Sequence, residues 1–184
     1  MKAIIRLLLL GALFPEAAAL RLQAAATYTD GSATFTVTMQ DLSGEYSARV
    51  DAFWVTDATG RFIQNVRKDA ANRQRYLIQW TNFNNNYTAI DGYSGATISS
   101  SLSTPVTVTW DCRDTNNAVA PDGLYRFYVE FTDRNGQGPW TTNGIAFYKG
   151  LTNVNNAYPD QQYIKSIRAT YTPVLAYDVA VTGL

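Results

Sequence analysis

Apolar and polar residues alternate along most of this chain. Phe35, Val37 and Met39 take turns with Thr34, Thr36 and Thr38, the period-two signature of a half-buried strand rich in β-formers. Ala48, Val50, Ala52 and Trp54 alternate with Arg49, Asp51 and Phe53. The turn residues Asp57-Ala58-Thr59-Gly60 then send residues 61–67 back as a second strand, since glycine enters the positive-φ region without steric cost. Val106, Val108 and Trp110 form another alternating run, as do Tyr125, Phe127, Val129 and Phe131. Residues 145–148 and 163–171 complete the set. Thr29-Asp30-Gly31-Ser32 reads as a hairpin turn, and so does Asp111-Cys112-Arg113-Asp114-Thr115-Asn116-Asn117 with its return through Pro121-Asp122-Gly123.

Two stretches depart from this rhythm. In residues 69–83, Tyr76 or Leu77, Trp80 and Phe83 fall at helical spacing, which predicts a short helix or turn-rich crossover with Trp80 as a core plug or a stacking platform. Residues 82–103 are polar and aperiodic, longer than an ordinary connection. The pattern predicts an all-β, immunoglobulin-like sandwich of about eight strands with at most one short helix.

The first residues change the picture of where such a domain resides. Lys2 and Arg6 precede an apolar stretch from Leu7 to Phe14, and small residues follow at Ala17-Ala18-Ala19 and again at Ala24-Ala25-Ala26. That order predicts an export signal over 1–19, cleaved after Ala19 or else after Ala26. Its apolar part is too short to span a bilayer. The expected mature protein is one sandwich over 20–184, periplasmic or extracellular, with no membrane span and a tail extended from about residue 174.

Composition narrows the chemistry. Fifteen Lys plus Arg balance fifteen Asp plus Glu, and there is no histidine. A zero formal charge lacks the basic face that a nucleic-acid partner requires. Without histidine, a Ser-His-Asp or Cys-His site cannot be built from this chain. Cys112 is the single cysteine, so neither an internal disulfide nor a cysteine zinc site can form. It lies in a turn with no adjacent base, which does not suit a nucleophile. Asp111, Asp114, Asn116 and Asp122 are oxygen donors for a calcium ion or, more simply, turn formers. Asn86-Tyr87-Thr88 fits the N-glycosylation pattern.

Two resemblances rest on quoted residues. Val108-Thr109-Trp110-Asp111 through Pro121-Asp122-Gly123-Leu124-Tyr125 resembles the hairpin of flagellar hook-capping-type Ig-like modules, with Cys112 and Asn117 where those have glycine. The second covers roughly residues 46–172. Ala52-Phe53-Trp54-Val55-Thr56-Asp57-Ala58-Thr59-Gly60-Arg61-Phe62, Trp80 and Asp91-Gly92-Tyr93-Ser94-Gly95-Ala96-Thr97 resemble an uncharacterised periplasmic family of unknown function. Its members accompany flavin transferases and PepSY reductases.

The element Asp91-Gly92-Tyr93-Ser94-Gly95-Ala96-Thr97 is also similar to the acceptor motif of periplasmic flavin transferases. That resemblance implies covalent FMN on the Thr97 hydroxyl through a phosphoester. Ser94 and Asp91 would brace the segment, and Gly95 would admit the transferase. Tyr93 and Trp80 would stack on the flavin ring. Read from the residues alone, the same element is a tight turn whose glycines bend the backbone and whose Asp, Ser and Thr bond neighbouring amides. The expected function is a non-catalytic exported module without a cofactor. It would bind a protein partner or itself through strand edges. The alternative is a covalent FMN carrier in a periplasmic electron chain, partnered by a flavin transferase.

Overall fold

The structure, a computed structural model, describes residues 25–40, 42, 49–70, 74–84, 93–95, 103–133 and 137–175. They form an all-β sandwich, as the alternation predicts. Ten strands lie among the described residues: β1 Gly31–Met39, β2 Val50–Asp57, β3 Phe62–Asp69, β4 Tyr93–Gly95, β5 Val106–Trp110, β6 Gly123–Asp133, β7 Gln137–Thr141, β8 Ile145–Lys149, β9 Val154–Ala157 and β10 Ile164–Pro173. One sheet runs β5-β1-β10-β9. The other runs β4-β3-β2-β6-β7, with β8 also on β6. β7 pairs with residues 130–133 of β6 and β8 with 123–127, so the two line successive stretches of one side of that long strand. All pairings are antiparallel except β3 with β4, which is parallel.

The inner faces meet in an aromatic core. Phe35 of β1 stacks on Phe127 of β6 with centroids 5.1 Å apart, and Phe127 stacks on Phe147 of β8 at 4.9 Å. Ala33, Phe35, Val37 and Met39 are buried on one side of β1. On its other side threonines pair across the sheet, Thr34 with Thr170 and Thr36 with Thr107. Such ladders suit a pleated surface in which every second side chain faces outward.

β2 differs from the half-buried strand its alternation predicts. Phe53 and Val55 enter the main core. Val50, Ala52 and Trp54 are buried too, on the outer face, against Leu77 and Trp80. The cover is the crossover after β3, a 3-10 turn at Gln74–Tyr76 and the helix α1, Ile78–Asn84. A strand buried on both faces reads as a near-continuous apolar run, and here the run is broken by Asp51.

The Asp111–Gly123 segment is a correction. It does not join β5 to β6 as a hairpin: β5 pairs with β1 in one sheet and β6 with β2 in the other, so the segment crosses between sheets, although within it Arg113 and Val119 pair antiparallel about a tight turn at 114–117. Its sharp bends occur where the resemblance has glycine, at Cys112 (φ 63°) and Asn117 (φ 62°). Tyr125 fastens the arch by donating its hydroxyl to the Pro121 carbonyl at 2.6 Å. Thr29-Asp30-Gly31-Ser32 makes no hairpin either. It leads straight into β1 and is held by Asp122, which accepts from the Thr29 amide at 2.8 Å and its hydroxyl at 2.7 Å. The Asp57–Gly60 turn does form, with Gly60 at φ 89° and Asp57 accepting from the amides of Thr59 and Arg61.

Candidate functional site

Of the four candidate flavin-site residues, Asp91 and Thr97 lie outside the described residues. Ser94 and Gly95 belong to β4, whose backbone runs parallel to β3 with Ser94 opposite Lys68 and Gly95 opposite Asp69. Among the described strands β4 therefore lies at the edge of its sheet. Trp80 is a buried plug: its Nε1 donates to Asn65 Oδ1 at 2.5 Å, and the Lys68 ammonium lies over its ring at 5.4 Å. The signal region 1–19, Asn86 and the tail from residue 176 also fall outside the described residues.

Beside β4 lies a buried ionic group. Asp51 and Asp69 stand directly opposite each other on β2 and β3, and Arg67 serves both. Its Nε is 2.8 Å from Asp69 Oδ2 and 3.7 Å from Asp51 Oδ1. Burial pushes the Asp51 carboxyl up to about 7, with Arg67 opposing and the Asp69 charge adding to the rise. Two carboxylates facing one guanidinium in a dry interior favour a proton on one of them.

Three of the four residues proposed as calcium donors are otherwise engaged. Asp111 accepts from the Arg113 amide and Asp114 from those of Asn116 and Ala118. Asp122 belongs to a separate buried clamp, where the Lys149 ammonium donates to it at 2.9 Å and to the Thr29 carbonyl at 2.6 Å. Burial opposes ionisation of Asp122. The bonds from Lys149 and Thr29 outweigh that and hold the carboxyl down to about 2. Cys112 is buried, and burial pushes its thiol up to about 12, the opposite of what a nucleophile needs.

One open concave surface was not predicted. It runs along α1 on the outer face of the six-stranded sheet. One groove, of about 720 Å³, is walled by Ile78, Gln79 and Phe83 of α1, by Tyr128 of β6, by residues 139–143 around the end of β7, and by Gln162. A second, of about 530 Å³, continues past Phe83 to Asn82, Asn84, Phe62, Gly60, Arg61 and Thr115. Phe83 borders both, and its ring packs at 5.0 Å from Tyr128 and 5.6 Å from Trp54. Gly144, at φ 73°, lets the chain pass against Tyr128; a Cβ there would lie 2.6 Å from the tyrosine oxygen.

The helix beneath this cleft is pinned by a carboxylate from the sheet. Glu130 accepts from the amides of Gln79 at 3.0 Å and Trp80 at 2.7 Å, bonds that the start of a helix otherwise leaves unmade. Burial pushes the Glu130 carboxyl upward while these amide donors pull it down. Among the described wall residues, half of the polar side chains are amides and the rest are chiefly threonines. Asn84 is 3 % exposed, yet neither its Oδ1 nor its Nδ2 has a hydrogen-bond partner. Trp54 Nε1, in the cluster below, is likewise buried without one. Sequence reading missed the cleft because its walls come from six separate parts of the chain. The available signal was the interleaving of Gln79, Asn82 and Asn84 with Ile78, Trp80 and Phe83.

Comparison with protein-family models, curated proteins and solved structures finds no match to this chain.

Proposed function

We propose that the chain is a non-catalytic, exported binding module and that its binding surface is the cleft along α1. The cleft is the observation that carries this reading. Its volume falls within the usual range for small-ligand sites, and it joins apolar walls to a few convergent polar groups. It is also braced from below: Glu130 fixes the start of α1, and Trp54, Phe83 and Tyr128 pack as one aromatic group. A preformed site loses less entropy on binding than one that must be ordered. The basic-apolar-small order of residues 1–19 supports export. Among the described residues no helix is long and apolar enough to cross a membrane.

The test is an amide-resolved NMR screen of uniformly labelled protein against uncharged small molecules and short peptides. Shifts clustered on residues 78–84 and 139–143 are expected. Shifts confined to other surfaces would overturn the reading, as would no response to any compound.

A second reading, covalent FMN on Thr97, draws support from β4. Among the described strands β4 has a sheet neighbour on one side only, and an open strand edge offers its backbone to a modifying enzyme. When bound, the flavin would supply the electron-carrying chemistry. Co-expression with a flavin transferase should add one FMN phosphoester to the intact mass, and Thr97→Ala should abolish it. An unmodified wild type beside a labelled control acceptor would remove this reading.

A further inference from the structure

We infer that the ligand of the α1 cleft is a neutral oligosaccharide, held by side-chain amides on either side of Phe83. The inference rests on the cleft being the binding surface and adds the class of ligand.

Charge is the first argument. Among the described residues that wall the groove beside Tyr128, that phenol is the only ionisable side chain. The groove beside Phe62 has one charged wall residue, Arg61, and Asp57 neutralises it through an Nε–Oδ2 contact of 3.0 Å. A cleft without uncompensated charge has nothing to offset the desolvation of a charged ligand, so it selects an uncharged one.

The second argument is the polar complement. Gln79, Asn143 and Gln162 come from α1 and from two separate loops, and all three are exposed at one groove. Among the described residues none of their side-chain amides forms an intramolecular hydrogen bond. Across Phe83, Asn84 lines the other groove with both amide atoms buried and unpartnered. A buried amide left without partners is destabilising, and it calls for one donor and one acceptor side by side. Adjacent sugar hydroxyls supply that pair, since each hydroxyl both donates and accepts. The apolar C–H faces of a pyranose match walls made of Phe83, Tyr128 and Ile78, the last half exposed at 50 %.

Backbone pairing separates a glycan from a peptide. An extended peptide would add to the edge strand beside the groove through its ladder of backbone donors and acceptors. That strand is β7, and Pro139 within it has no N–H to donate. The two grooves sharing Phe83 favour a ligand of several linked units over a single small molecule.

The experiment is a titration of the labelled protein with cellohexaose, chitohexaose and maltohexaose, and in parallel with uncharged hexapeptides. At least one oligosaccharide is expected to shift the amides of 78–84 saturably. Asn84→Leu should weaken that binding by about tenfold, the equivalent of one lost hydrogen bond. It should leave the melting temperature unchanged or raised, because no internal bond is lost. Gln79→Ala, at an exposed position, should weaken binding several-fold without altering the fold. If peptides shift the cleft and sugars do not, the oligosaccharide assignment is overturned and the binding-module reading stands. If neither shifts it, both fall. Sugar binding unaltered in both variants would also overturn the assignment.

Discussion

Asp51 is the residue that the surrounding strand accommodates least easily. It interrupts an apolar run, is fully buried, and faces Asp69 across the sheet with Arg67 between them. With its carboxyl pushed up to about 7, the folded state keeps a proton that the unfolded chain releases near the ordinary value of about 4. The folded state thus binds more protons between these limits. Stability therefore falls as pH rises from about 4 to about 7, and levels off above. Asp51→Asn has no such proton to lose. Relative to wild type it should gain stability from pH 4 to pH 8, by up to roughly 4 kcal/mol at 1.4 kcal/mol per pH unit. Denaturant titrations of both proteins across that range check this, and a difference that does not change with pH would contradict it. Asn84 presents the reverse case, a buried neutral group whose side-chain amide has no hydrogen-bond partner.

At the scale of elements, α1 is a short helix that depends on the sheet beneath it. Seven residues are too few for a helix to persist on propensity alone, so its order comes from Trp80 below and Glu130 at its start. Glu130→Leu should cost about 1–3 kcal/mol by leaving the buried Trp80 amide and the part-buried Gln79 amide without their acceptor. It should also speed hydrogen exchange at residues 79–81 well before global unfolding. Exchange there unchanged from wild type would show that the carboxylate does not hold the helix. The longer strands were legible in the sequence because their alternation runs through five or more residues, as in β1, β5 and β6. The short ones were not. β7 contains Gly138 and Pro139, β9 reads Val-Asn-Asn-Ala, and β4 has three residues inside a polar stretch. Their pairing comes from neighbours distant in sequence. The Asp111–Gly123 arch shows the same limit. Its turn chemistry was readable, but whether two strands meet as a hairpin or part into opposite sheets depends on which faces they bury. The cleft was illegible for a related reason, since no single segment encodes it.

On the scale of the whole molecule, one aromatic column joins the two sheets and a second aromatic group sits outside them. Phe127 belongs to the first, stacked between Phe35 and Phe147. Phe127→Ala should cost about 3–5 kcal/mol in a denaturant titration, as for a buried aromatic whose neighbours relax only in part. A loss under about 1 kcal/mol would mean that the inner faces have been wrongly assigned. The outer group of Trp54, Phe83 and Tyr128 has a different task, to keep the cleft shaped while the inner column keeps the sandwich closed. Changes in the cleft walls should therefore alter binding more than stability. The most direct measurement is an isotope-filtered NOE spectrum of the protein saturated with the neutral oligosaccharide that titrates best. Cross-peaks from sugar protons to the Phe83 ring and to the Asn84 side-chain amide are predicted. Cross-peaks to β5 or β9 instead, or no intermolecular cross-peaks at all, would contradict the account.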